Sequence, residues 1–148
     1  MRIALAGTPH VAIPTLDWLS TSEHDLVKVF TTSAKPSGRG GRLVSSDVAL
    51  WCKERSIEYV EISQADDFDG HLKDIDCVIV IAFGLLLPQQ ILDQPRFGFI
   101  NLHFSVLPRW RGAAPVQRAI ENADTHLGIT VFRLDAGMDT GPVFRSAS

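Results

Sequence analysis

Apolar positions along this chain fall into two alternating rhythms, and the alternation sets the first expectations. Ile3 to Ala6 is an uninterrupted apolar run, short enough for a buried strand. Val11, Ala12, Leu16 and Leu19 then recur at helical spacing, with Pro14 in the first turn, where its missing N–H is tolerated. Leu26 to Thr31 and Ile57 to Ile62 read as the second and third strands. Between them, Ser46 or Asp47 can cap a helix running to about Arg55, with Val48, Leu50, Trp51 and Cys52 available for packing. Cys77 to Phe83 is apolar throughout, which predicts a central strand buried on both faces and ended by a turn over Gly84 to Pro88. Phe97 to Phe104 gives a fifth strand. From Pro115, a favoured first helical residue, Val116, Ala119, Ile120 and Ala123 mark a helix. Leu127 to Leu134 alternates as a sixth strand, and Pro142 to Phe144 starts a seventh.

Strands separated by helices predict an α/β chain, built as a mostly parallel open sheet with helices on both faces. Ser33 to Arg42, which carries Gly38, Gly40 and Gly41, reads as a flexible loop. A chain of 148 residues, 45% of them hydrophobic, is enough for one domain with a sizeable core and cramped for two. The chain ends directly after the seventh strand, at Ser148, so the expectation is a domain cut short of its covering element.

Composition removes several classes of function. The longest apolar run, Cys77 to Phe83, is far too short to span a membrane, and the N-terminus reaches Thr8-Pro9 too early for a secretory signal. Cys52 and Cys77 form no CxxC pair, which favours reduced thiols in a cytoplasmic protein over a disulfide. The five histidines show no HExxH or Cys/His ligand spacing, so a metal has little support. A net charge of −3 argues against nucleic-acid binding through global charge. Gly7-Thr8-Pro9-His10-Val11-Ala12 after the first strand lacks the dinucleotide fingerprint, and Gly38-Arg39-Gly40-Gly41-Arg42 lacks the Lys-Ser/Thr ending of a phosphate loop.

Asn101 and His103 carry more information. On a strand, positions i and i+2 share a face, so a carboxamide and an imidazole stand side by side at the C-terminal end of the fifth strand, where open α/β sheets place their ligands. An amide beside an imidazole can bind a developing oxyanion, and the imidazole can move a proton near neutral pH. From Asn-x-His alone, a capped strand end is the simpler reading. Asp139 lies in the glycine-rich loop Asp135 to Pro142; it can pair with His103 and fix its tautomer, or merely bond its own turn. Asp135 reads as a loop-shaping residue. Arg109 and Arg111 flank Trp110 in the link from strand to helix, cations beside a stacking surface that suit anionic or planar ligands; a solvated surface loop is the even alternative. Arg39 and Arg42 read first as parts of a mobile loop, and as a grip on RNA backbone only if such a partner exists.

Taken together, Asn101-Leu102-His103, Ser105-Val106-Leu107-Pro108, Arg109-Trp110-Arg111-Gly112-Ala113-Ala114-Pro115-Val116-Gln117 and Asp135-x-Gly137-x-Asp139-Thr140-Gly141 resemble the folate-dependent formyltransferase family in order and spacing. The opening Met1 to Pro9 and the Pro36-Ser37-Gly38-Arg39-Gly40 loop resemble the branch that formylates methionyl-tRNA. The resemblance implies a Rossmann-like formyltransferase fold, 10-formyltetrahydrofolate as one-carbon donor without a metal, and the α-amine of initiator methionyl-tRNA as acceptor, in the cytoplasm and for translation initiation. It implies Asn101, His103 and Asp139 as the catalytic set, Ser105, Val106, Leu107, Pro108, Leu85, Leu86 and Asp135 around the folate, and Arg39 and Arg42 on the tRNA. It further implies a longer protein, whose C-terminal tRNA-binding domain lies outside residues 1–148. A nucleotide-sugar amine as acceptor, and a folate- or RNA-binding fragment with weak catalysis, are the alternatives it leaves open.

Overall fold

A computed structural model describes residues 1–37 and 41–148. In chain order the first elements are β1 (Arg2–Gly7), α1 (Ile13–Thr21), β2 (Asp25–Thr32), β3 (Lys35–Ser37), β4 (Arg42–Val44), α2 (Asp47–Glu54) and β5 (Tyr59–Ile62). There follow β6 (Cys77–Ile81), α3 (Gln89–Leu92), β7 (Phe99–His103), α4 (Pro115–Glu121), β8 (Ile129–Arg133) and β9 (Val143–Ala147). Seven strands form one sheet in the order β5-β2-β1-β6-β7-β8-β9. The first five run parallel, while at one edge β8 runs antiparallel to β7 and β9 antiparallel to β8.

Burial explains the order. β6 sits mid-sheet and is apolar on both faces, as a strand covered from two sides must be. On one face Ile3, Leu5, Val29, Cys77 and Ile81 pack under Leu16 and Leu19 of α1 and Val48, Trp51 and Cys52 of α2. On the other, Ala4, Ala6, Phe30, Val78, Val80 and Phe99 pack under Phe68, Leu72 and the α3 residues Ile91 and Leu92. Helices thus cover both faces, and Asn101 and His103 extend the line of Phe99 along the second one.

Several local readings need correction. The Ser33–Arg42 stretch is not a plain loop, because Lys35↔Val44, Pro36↔Leu43 and Ser37↔Arg42 pair as an antiparallel hairpin. Leu43 and Val44 stay exposed, so the pairing rests on backbone bonds that no apolar alternation announces. Leu50 and Ile120 lie on the open sides of their helices rather than in a core. The central strand stops at Ile81, two residues early, where Ala82 (φ +46°) and Gly84 (φ +78°) take left-handed backbone and swing the chain out of the sheet.

Ser46 is the cap of α2: its Oγ accepts from the Ala49 N–H at 3.0 Å and bonds the fully buried Thr31 hydroxyl at 2.6 Å. Ser46→Ala should cost about 1 kcal/mol for the cap, and about 1–3 kcal/mol more for the stranded Thr31 hydroxyl. Urea denaturation would measure the sum as a lowered midpoint at an unchanged slope. Both cysteines are free and buried. Burial pushes the Cys52 thiol up to about 11, against the pull of Arg55, and raises the Cys77 thiol with help from Asp76. Neither should alkylate with iodoacetamide at pH 8 in the folded chain, and both should react promptly in urea; fast native labelling would contradict this.

Candidate active site

Four segments enclose a cavity of about 320 Å³, one of them Gly112, Ala113 and Pro115 at the start of α4. The loop after β6 supplies an apolar wall of Phe83, Leu85, Leu86 and Leu87; the end of β7 supplies Asn101 and His103; and the segment after β8 supplies Leu134 to Asp139. Because β8 runs antiparallel to β7, with His103 opposite Thr130 and Ile100 opposite Arg133, the chain leaves β8 at the far end of β7. The 134–142 loop must therefore travel back toward His103 for Asp139 to reach the site.

Glycines let it do so. A methyl group at Gly141 would fall onto the Arg133 carbonyl oxygen, and one at Gly137 onto the Thr140 hydroxyl. Asp135 folds the near half of the loop by accepting from Gly137 N at 3.0 Å and Thr140 Oγ1 at 2.7 Å. Gly141→Ala should therefore shift the whole loop, lowering both thermal stability and any activity that uses Asp139. A variant with native melting temperature and native activity would show that the close approach does not matter.

Asp139 does not bond its own turn. It takes left-handed backbone (φ +51°), which Asp tolerates, and its Oδ2 accepts from Gly112 N at 2.7 Å, across 27 residues of sequence. The same Oδ2 lies 3.7 Å from His103 Nδ1, with the His103 and Asp139 side chains only 6% and 13% exposed. That is a charge contact beyond hydrogen-bond length. The histidine tautomer is fixed elsewhere: His103 Nε2 lies 2.9 Å from the Trp110 carbonyl, which can only accept, so Nε2 carries a proton and donates it. Nδ1 faces the carboxylate side of the cavity. Asn101 is half-buried on the cavity wall, and among the described residues no hydrogen bond ties down its carboxamide.

The remaining expected residues divide. Leu85, Leu86 and Asp135 line the cavity. Ser105, Val106, Leu107 and Pro108 are not part of its lining. Ser105 is buried, with its hydroxyl donated to the Arg109 carbonyl, and Leu107 N is held by Thr130 Oγ1 at 3.0 Å. Ser105 and Val106 instead face a second cavity of about 380 Å³ with Arg109, Trp110 and Asp124. The physical reason is that β7 ends at His103 and the chain curls away, so the segment props the loop that carries the Trp110 carbonyl. Arg39 lies outside the described residues, as does the Arg42 side chain. Sequence reading missed the Gly112 N–H and the Trp110 carbonyl, since backbone groups leave no trace in a side-chain motif, and the buried Thr130 hydroxyl, which lies far along the chain from the segment it holds.

A carboxamide, a proton-bearing imidazole and a carboxylate thus converge on the open end of an apolar pocket, an arrangement that can stabilise an oxyanion and pass a proton at one carbonyl centre. Similarity to known proteins narrows which one. A family described as formyl transferase matches residues 1–148. The methionyl-tRNA formyltransferase of Thermobifida fusca is 49% identical over 148 residues, which is 97% of this chain and 48% of that protein. The chain spans about half the length of the curated relatives it matches. Among solved structures, phosphoribosylglycinamide formyltransferase from Anaplasma phagocytophilum aligns at a TM-score of 0.78 and 18% identity, covering 99% of this chain and 70% of that one. An N-formyltransferase from Helicobacter canadensis, solved with folinic acid and dTDP-3-aminofucose, aligns at 0.73 and 20% identity, covering 99% and 52%. At such identities the structures speak for the fold.

Proposed function

The chain belongs to the formyl transferase family, and from that premise we propose that its central cavity moves a formyl group from 10-formyltetrahydrofolate to the α-amine of initiator methionyl-tRNA. The observation that carries the proposal is the convergence of Asn101, His103 and Asp139 on one cavity with a largely apolar wall. The wall of Leu85, Leu86 and Leu87 offers a flat ring system a dry surface, and the 135–139 backbone offers it polar edges.

The chemistry follows from the groups. The uncharged amine nitrogen bonds to the formyl carbon, and the carbonyl electrons move onto oxygen. Asn101 Nδ2 and the Nδ1–H of a protonated His103 donate to that oxyanion, while Nε2 stays anchored to the Trp110 carbonyl. Asp139 stabilises the imidazolium and accepts the ammonium proton, directly or through a water. When the carbon–nitrogen bond to the donor breaks, the departing nitrogen takes the Nδ1 proton of His103, and the proton held on Asp139 replaces it. Transfer is direct, without a covalent enzyme intermediate.

The tRNA as acceptor rests on the 49% identical relative, and a role for Arg39 and Arg42 on its backbone rests on the sequence resemblance. The reaction of a cytoplasmic translation system fits a chain in which, among the described residues, no helix is long and apolar enough to cross a membrane. A test compares radiolabelled formyl transfer to initiator methionyl-tRNA and to a nucleotide-sugar amine. Preference for the sugar would overturn the acceptor assignment and leave the donor chemistry standing.

A further inference from the structure

The carbonyl that anchors His103 belongs to a residue in an unusual conformation. Trp110 has φ +58°, left-handed backbone that a bulky side chain rarely adopts and that persists only where its surroundings hold it. What holds it is a carboxylate well outside the central cavity. Asp124 Oδ2 accepts from the Trp110 indole Nε1 at 2.8 Å. Its Oδ1 accepts from Arg109 Nη2 at 2.6 Å and from Asn122 Nδ2 at 2.7 Å. Asp124 is itself fixed to the end of α4, where its N–H donates to the Ala119 carbonyl at 2.9 Å.

We infer that Asp124 is a positioning residue for formyl transfer, clamping the Trp110 indole so that the Trp110 carbonyl holds the His103 ring in its working orientation, with Nδ1 turned to the cavity. The inference rests on the proposed function for its kinetic consequence, but its structural half stands by itself. The linkage is continuous: α4 holds Asp124, Asp124 holds the indole, the indole fixes the backbone at 110, and that backbone accepts from His103 Nε2. The carboxylate is only 12% exposed, and the hydrogen bonds from Asn122 and Trp110, with the Arg109 charge, hold its carboxyl below the usual carboxylate range. It therefore stays ionised, and acceptor-only, throughout the neutral range.

Three donors converging on one carboxylate make an isosteric test available. Asp124→Asn keeps the shape but replaces one oxygen by an NH₂ group, so an N–H must now face the Nε1–H of Trp110 or the donors of Arg109 and Asn122. Trp110→Phe is the second variant, and removes the indole donor while leaving Asp124 in place. The readout that a merely structural role would not move is the ¹⁵N–¹H spectrum of His103, assigned through His103→Gln. The native chain should show one slowly exchanging Nε2–H resonance, and both variants should lose its protection and mix the two tautomers. In transfer assays both should lower kcat by roughly tenfold to a hundredfold, with KM for donor and acceptor nearly unchanged, as expected when a reacting group is misplaced while substrate binding stays intact. An unchanged His103 resonance in folded Asp124→Asn and Trp110→Phe would overturn the inference, as would an effect expressed wholly in KM. If the native chain transfers no formyl group at all, the functional reading fails while the NMR comparison still decides this one.

Discussion

Asp139→Asn is expected to transfer formyl groups roughly a thousandfold more slowly than the native chain, the middle of the range for a lost general base, while binding the folate donor almost as well. Asn keeps the backbone feasible, since it tolerates left-handed φ as Asp does, and its amide oxygen can still accept from Gly112 N. What disappears is the negative charge 3.7 Å from His103 Nδ1 and the acceptor for the amine proton. Asp139→Ala should cost at least as much in turnover and should also loosen the 134–142 loop, because the hydrogen bond from Gly112 N goes with it. Comparing the two separates charge from anchoring. Single-turnover rates with saturating donor give the chemical step, and donor fluorescence quenching gives binding. Native turnover in Asp139→Asn would remove the carboxylate from the mechanism.

Asn101→Ala and His103→Ala form the second large prediction. Each removes one donor to the oxyanion, a loss typically worth about a hundredfold to a thousandfold in kcat. His103→Ala should be the worse, because the imidazole also returns a proton to the departing nitrogen. The double variant should fall well short of the product of the two single losses, since both donors serve one oxygen and act as a unit. Stability should move little in Asn101→Ala, whose carboxamide has no protein partner among the described residues. It should fall in His103→Ala, whose buried ring also packs edge-on against Phe132. Two independent, fully multiplicative losses would argue that the two groups act at different steps.

Much of this architecture is legible in the sequence, for identifiable reasons. The apolar runs at Ile3–Ala6 and Cys77–Ile81 are strands because nothing but a two-sided burial suits them, and Ser46 marks its helix by the chemistry of an open N-terminus. Asn101 and His103 fall on one face by simple alternation. The antiparallel turn of the last two strands is less visible, because alternation fixes which side chains face inward and says nothing of strand direction. The β3–β4 hairpin escapes for a related reason, as does α3, whose four residues are too few to show a period. In the candidate site, composition alone leaves Asp139 as a turn residue; it is the glycine spacing at 137 and 141 that allows the loop to fold back. The Ser105–Pro108 segment lies next to His103 in sequence but outside the lining of the central cavity, with the Ser105 hydroxyl donated to the Arg109 carbonyl and the Leu107 N–H to Thr130 Oγ1.

If this cavity passes a formyl group from a folate to an amine through Asn101, His103 and Asp139, the label itself can be followed. [¹⁴C]Formyl-tetrahydrofolate is mixed with initiator methionyl-tRNA under single-turnover conditions, and acid-precipitable label is counted. The native chain and the Asn101→Ala/His103→Ala/Asp139→Asn triple variant are compared side by side. Formyl-methionyl-tRNA should form with the native chain and not above background with the triple variant, while both still bind the donor. Equal label from the two chains, or donor bound by the native chain with no label passed to the tRNA or any other amine, would refute the assignment.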